Sequence, residues 1–440
     1  MVYPFKRLLQ DERGNVAIIV AFMLLPMLVL AGGATDIARY EMFRVQLQDG
    51  VDRAVLAAAS LTQDETVEET AAEYLKTVGF IDRVEIDYDY ETALNSRDVT
   101  ITARYEMQTS FLPLIGIDTL AMVATATAQE ERLNLEISLV LDISGSMIDG
   151  NPSRIALLRP AAKQFIDAMI TPDTAAYTTL SIIPYAGTVN PGAVAFGLLG
   201  TPRLHNYSSC IEFDHNSNRD YATGMVPFAL RQQVPHFTHN HAGNPAGKEW
   251  SYCPYEATAI TYMSNNAAAL KARIDSLKLH DGTGTGVATN WGYLLLDPSA
   301  QPFISQMANA GQLPLQFADR PAAFDDADTL KVLVVMTDGA ISNQERPTQY
   351  NYPRAQEGVP SLRSPPYQSA SSASTSFKRV CQVAKANHVI VYTIGFYTPN
   401  HPDLQTCASS AGHFYNVSGS GISLAFAAIA NNIQSLKLTR

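Results

Sequence analysis

The apolar positions divide the chain into stretches of different period. Residues 16–34 (VAIIVAFMLLPMLVLAGGA) are an uncharged apolar run. As a helix, about 19 such residues span on the order of 28 Å, close to the hydrocarbon thickness of a bilayer. Pro26 falls mid-span, which membrane helices tolerate. From Asp36 to Leu61 the pattern becomes amphipathic. Val45, Leu47, Val51, Ala54, Val55 and Ala58 recur at helical spacing, and only Gly50 interrupts. The spacing predicts one helix that leaves the membrane and continues in solution. Residues 84–130 then alternate with period two at 84–90, Val99–Met107 and Ala121–Ala128, as strands of a small α+β stalk do.

From Leu133 onward strand patterns alternate with helical ones. Leu133–Leu141, Thr179–Ile183, Lys331–Thr337 and Val389–Ile394 are apolar runs suited to strands buried on both faces. Helical spacing appears at Ser153–Ile170, Ala267–Leu277, Phe377–Asn387 and Ser423–Leu436. Asn151 and Pro152 read as the N-cap and first position of the first of these helices. The alternation predicts a doubly wound α/β domain. Residues 199–254, rich in Asn, His, Tyr and Pro, and 343–376, which end in SASSASTS, break it and read as insertions. The predicted division is 1–62 for a cytoplasmic tail, transmembrane helix and its helical continuation, 63–131 for the stalk, and 132–440 for the α/β domain.

Charge adds topology and excludes one class of partner. The 440 residues carry a formal charge of −11 with no dense Lys/Arg cluster, which argues against nucleic acid. Lys6, Arg7 and Arg13 precede the apolar run and Arg39 and Arg44 follow it, a bias that keeps the N-terminus in the cytoplasm and exports the remainder. The run's length favours a retained anchor over a cleaved signal peptide. Four cysteines, none in a CxxC spacing, then fit two disulfides in an oxidising compartment. Cys210 with Cys253 brackets the first insertion. Cys381 with Cys407 brackets the strand at 389–394 and its exit loop.

The candidate chemistry stands at strand ends. Asp142-Ile-Ser144-Gly-Ser146 follows the first apolar strand, and Leu333-Val-Val-Met-Thr337-Asp338-Gly339 closes another. Hard cations take oxygen ligands, and strand ends of an open α/β sheet converge on one crevice. The DxSxS and TDG patterns, in this order, resemble the metal-ion-dependent adhesion site of von Willebrand factor A-type (vWA) domains. That resemblance implies a Rossmann-like vWA fold and a Mg²⁺ (or Mn²⁺) site formed by Asp142, Ser144, Ser146, a threonine and Asp338. The threonine is Thr285 when Trp291-Gly292 and Leu295–Ser299 are aligned with one vWA subfamily, or Thr289 by the more general TNxG pattern. An acidic side chain of a partner protein would fill the cation's open position.

A second resemblance covers the N-terminus. Glu12-Arg-Gly-Asn-Val-Ala-Ile-Ile19, Leu25-Pro26, Gly32-Gly-Ala-Thr-Asp36 and Val45-Gln-Leu-Gln-Asp49 are similar to TadG-like proteins of the tight-adherence (Flp) pilus assembly system. Cys407-Ala-Ser-Ser and the helix ending Leu436-Lys-Leu-Thr439 are similar to the same family. This implies a non-enzymatic, single-pass inner-membrane component with its bulk in the periplasm, binding other envelope or pilus-assembly proteins. Pilin-like relatives carry a glutamate five residues after the processing glycine. Counted from Gly14 that position is Ile19, which favours a permanent anchor. The competing reading is a stand-alone periplasmic or surface adhesion module. A hydrolase built on Ser146 lacks the nucleophile elbow and an identifiable base. His236, His239 and His241, without Cys or carboxylate neighbours, read as a polar stretch of an exposed insertion rather than a zinc site.

Overall fold

One helix, α1 (Asn15–Ala58), carries both the apolar run and the amphipathic stretch and continues through Pro26. The computed structural model describes residues 15–61, 63, 65–92, 96–238, 251–348, 362–398 and 401–438. The chain divides into two units between Glu131 and Arg132.

In the first unit α1 is the one helix, among the described residues, long and apolar enough to cross a membrane. Ile18, Phe22, Met23, Met27 and Leu30 on its N-terminal half are exposed. Its C-terminal half is covered. Leu47, Val51, Ala54, Val55 and Ala58 are buried as their spacing predicts, whereas Val45, assigned to the same stripe, is exposed. The stripe packs on helix α2 (Val67–Leu75) and on an antiparallel sheet of β1 (Glu85–Thr92), β2 (Ser96–Gln108) and β3 (Thr119–Glu131). The Gly32–Asp36 motif has a physical reading. A Cβ on Gly32 would lie 2.2 Å from the Phe111 ring, so only glycine lets the β2–β3 connection sit on the helix. One turn on, the buried Asp36 carboxylate accepts backbone N–H bonds from Ser110, Phe111 and Leu112.

The second unit is built on a six-stranded sheet. Its strands are β4 (Asn134–Asp142), β5 (Thr178–Tyr185), β6 (Thr261–Ser264), β7 (Thr329–Thr337), β8 (Ile390–Phe396) and β9 (Phe414–Val417), in the order β6-β5-β4-β7-β8-β9. All neighbours are parallel except the short edge strand β6. Alternate residues of β4 and β7 feed two cores. Leu135, Ile137, Leu139 and Leu141, with Val332, Val334 and Met336, pack against α3 (Arg154–Met169), α5 (Ala267–Ser276) and α10 (Gly421–Leu438). Val140, Leu333 and Val335 pack against α6 (Thr285–Leu294), α7 (Gln301–Asn309) and α8 (Ala370–Ala386). Short helices α4 (Ala193–Leu198) and α9 (Pro402–Cys407) complete the unit. Helices on both faces of a mostly parallel sheet give the doubly wound α/β architecture. A Cβ on Gly292 of α6 would lie 2.7 Å from Val140 and 2.8 Å from Leu333, so this glycine sets how closely α6 approaches the sheet.

Three local expectations are corrected. The N-cap of α3 is Ser153, not Asn151, which lies in the turn before it. The serine-rich end of the second insertion is helical: α8 starts at Ala370 because Ser369 accepts the Ser372 N–H and the following turns bury Ala373, Ser376 and Phe377. His236 is buried, not exposed. It bonds Ser208 at 2.9 Å and stacks on Tyr207, and burial pushes its imidazole down to about 4. His239 and His241 lie outside the described residues. Both disulfides, Cys210–Cys253 and Cys381–Cys407, join the pairs read from the sequence.

Candidate metal centre

Three connections at the C-terminal ends of the sheet strands supply the site. The first starts where β4 ends. Asp142 turns its carboxylate back on the chain, and its Oδ1 accepts the Ser144 N–H at 2.8 Å. This Asx-type bond opens the turn of Gly145–Ile148 and brings the two serine hydroxyls within 3.0 Å of each other. The third connection follows β7. Asp338 Oδ1 accepts from Ser146 Oγ at 2.6 Å and, more weakly, from Ser144 Oγ at 3.5 Å. Asp142, Ser144, Ser146 and Asp338, separated by almost 200 positions in the chain, therefore share one hydrogen-bonded cluster.

The second connection reaches the cluster through a tyrosine. Tyr185 closes β5, and its Oη lies 3.3 Å from Asp142 Oδ2 and 3.2 Å from Thr285 Oγ1 at the start of α6. Thr289 is one turn further in, and its hydroxyl donates to the Thr285 carbonyl at 2.8 Å. Of the two threonines, Thr285 faces the cluster and Thr289 is engaged by its own helix.

Three further residues complete the geometry. Thr337 Oγ1 donates to Asp142 Oδ2 at 2.7 Å, and Arg154 Nη1 donates to Asp338 Oδ2 at 2.8 Å. Thr337 belongs to the TDG run, whose aspartate alone the adhesion-site pattern uses. Tyr185 left no signal beyond ending an apolar strand. Arg154 left a faint one: it is a cation at the first position of a helix, where the dipole favours anions.

Asp142, Ser144 and Thr285 are buried, and the Asp338 side chain is fully covered. Burial raises the pKa of Asp142, and the charge of Asp338 raises it further against the hydrogen bonds from Ser144 and Thr337. Burial likewise raises that of Asp338, against the pull of Arg154 and Ser146. Two buried carboxylates that disfavour each other's charge, with neutral hydroxyls between them, are an oxygen-only donor set suited to a hard divalent cation. Among the described residues no group of three or more His, Cys, Asp and Glu side chains converges. The bonds of Ser146 Oγ run to Ser144 and Asp338, not to a histidine. A cavity of about 550 Å³ opens beside Asp338, lined by Ile341, Ala370, Ser374, Tyr397 and Thr398 among others. Ala370 and Ser374 belong to the helical end of the second insertion, 343–376, so that end of the insertion borders the cavity.

Comparison with known proteins adds the family of the N-terminal segment. Residues 14–61 match the family described as "Putative Flp pilus-assembly TadE/G-like". The match covers the N-terminal segment, which precedes the doubly wound α/β unit. No curated protein matches the chain. Similar solved structures include the pilus adhesin SpaC from Lactobacillus rhamnosus GG, at 12% identity over 81% of this chain and 35% of that one, with a TM-score of 0.37. The vWF domain of a type V pili tip protein from Porphyromonas gingivalis matches at 13% identity over 70% of this chain and 97% of that one, TM-score 0.35. A proximal thread matrix protein of the mussel byssus, with a zinc-occupied MIDAS motif, matches at 13% identity over 84% of this chain and 52% of that one, TM-score 0.30. The chain thus spans about a third of the length of SpaC. The strand order β6-β5-β4-β7-β8-β9 defines the fold.

Proposed function

We propose that the chain is a membrane-anchored, non-enzymatic component of Flp/Tad pilus assembly whose α/β unit binds partner proteins through a divalent cation. The observation that supports this reading is the oxygen cluster of Asp142, Ser144, Ser146 and Asp338, with Thr285 one hydroxyl away, in a chain whose N-terminal segment is TadE/G-like. The apolar helix and the two disulfides are consistent with an envelope location. The finer reading is a single-pass inner-membrane protein: tail and helix over 1–62, stalk over 63–131, and a periplasmic vWA domain over 132–440.

Mg²⁺ or Mn²⁺, held by Asp142, Ser144, Ser146, Thr285 and Asp338, would supply a positive centre with an open position for a partner's carboxylate. The chain's own residues prepare that centre. The Ser144 N–H fixes the Asp142 carboxylate, Thr337 and Tyr185 hold its other oxygen, and the two serines link it to Asp338. The cavity beside Asp338 leaves room for the residue that carries the acidic group. Calorimetric titration of Mg²⁺ into the full chain in detergent tests the reading. Wild type should bind one equivalent and Asp142→Ala none, with the far-ultraviolet spectrum unchanged. Equal binding by the two proteins would reduce the α/β unit to a scaffold.

A further inference from the structure

Arg154 lies at the edge of the cluster, and none of the sequence motifs assigns it a role. It opens α3, and its guanidinium is held from three sides. Nη1 bonds Asp338 Oδ2 at 2.8 Å, Nη2 is 4.0 Å from Asp149 Oδ2, and the group lies 5.2 Å over the Tyr397 ring. Tyr397 has a φ of 59°, a left-handed backbone that is a genuine outlier for a bulky residue. An aromatic held in that conformation beside an arginine marks a constrained position, and such constraints gather at functional sites. Tyr397 is 43% exposed, so the arginine beside it sits where the site meets solvent.

Both oxygens of Asp338 are occupied: Oδ1 by the serine hydroxyls and Oδ2 by Arg154. A buried carboxylate cannot give its full charge to a guanidinium and to a divalent cation together, because the two positive charges repel at short range. We propose that Arg154 is a built-in charge lock on the cation site. In the metal-free protein it occupies Asp338 and offsets the charge of the two carboxylates. A divalent cation must displace it toward the Tyr397 ring, whose face receives a guanidinium favourably. Arg154 therefore keeps cation affinity lower than the donor set alone would give.

This inference rests on the metal reading of the site, and the same titration separates the two. Arg154→Gln removes the charge and keeps a polar side chain at the start of α3. Full-length protein in detergent is titrated with Mg²⁺ alone, and melting is recorded with and without Mg²⁺. Arg154→Gln should bind Mg²⁺ tighter than wild type, on the order of tenfold. It should also melt lower without Mg²⁺ and gain more in melting temperature when Mg²⁺ is added. Arg154→Lys, which keeps the charge, should stay near wild-type affinity. A purely structural arginine would lower melting and leave the Mg²⁺ affinity unchanged, and that result overturns the proposal. Should Arg154→Gln fail to fold without metal, Mg²⁺ during purification should rescue it, and failure to rescue also counts against the lock. If wild type itself binds no Mg²⁺, the metal reading falls and takes the lock with it. If wild type binds and Arg154→Gln binds no tighter, only the lock falls.

Discussion

Strands β4 and β7 lie side by side and bury charge at both ends, in opposite ways. Near their N-terminal ends Glu136 and Lys331 are register partners, and Lys331 Nζ bonds Glu136 Oε2 at 2.5 Å. Arg320 adds a second cation at 3.3 Å, and the Ala322 N–H donates to the same carboxylate at 2.8 Å. That carboxylate is compensated on every side. At the other end of the same strands Asp142 faces Asp338, and Arg154 is the one cation paired with them among the described residues. Burial alone does not distinguish the two ends, since Glu136 and Asp142 are both fully covered. The sign of the neighbours does. One end has its charge neutralised by the fold, and the other retains an excess of negative charge that an external cation would neutralise.

The comparison is sharpest if the compensated end is broken. Lys331→Met leaves Glu136 buried with a single, more distant cation, and should destabilise the α/β unit by about 3–5 kcal/mol in chemical denaturation. Glu136→Leu added to it should recover most of that loss, because replacing both partners removes the stranded charge. If the single variant costs less than about 1 kcal/mol, Glu136 is not held as argued. Arg320→Gln should have a smaller effect, about 1–2 kcal/mol, since Lys331 and the Ala322 N–H remain on the carboxylate. Neither change should alter Mg²⁺ binding at the opposite end of the strands. Loss of binding in either would mean that the two ends are not independent.

What could be read beforehand follows from which signals are local. Strands β5 and β7 are buried at every residue, and their unbroken apolar runs are legible for that reason. All ten residues of α6 are also buried, which erases the amphipathic period, so Thr285–Leu294 reads as a loop carrying ligands rather than as a helix. The four-residue edge strand β6 is too short to give a period. In the site, Asp142, Ser144, Ser146 and Asp338 are legible because each sits in a short motif beside a strand. Tyr185 and Arg154 are not, because only the sheet order brings the end of β5 and the start of α3 to those carboxylates. His236 misleads in the other direction: its polar neighbours suggest solvent, but Ser208 and the Tyr207 ring cover it.

The smallest expected change has the opposite sign to the others. Asp142→Asn removes one charge from the uncompensated end, and the Tyr185 hydroxyl, which shared that oxygen, turns to the Met336 carbonyl 3.3 Å away. The amide oxygen still accepts from the Ser144 N–H. The new amide donates to Thr337 Oγ1, which turns its own proton to the Gly339 carbonyl 3.3 Å away. Burial and the charge of Asp338 push Asp142 up from 3.8 to about 7 in the folded protein. A carboxyl whose folded pKa is raised prefers its proton when folded. Its contribution to stability is therefore present below about pH 4 and is lost as pH rises through about 7. Asparagine has no such loss. Without divalent cation, Asp142→Asn should match wild type near pH 4 and become the more stable protein by pH 8. With Mg²⁺ present the order should reverse, because wild type alone gains from binding. Melting curves of both proteins at pH 4, 6 and 8, with chelator and with Mg²⁺, read this directly. An asparagine variant that is less stable at pH 8 in chelator would mean that Asp142 is compensated in the metal-free protein, and the contrast between the two ends of the sheet would not stand.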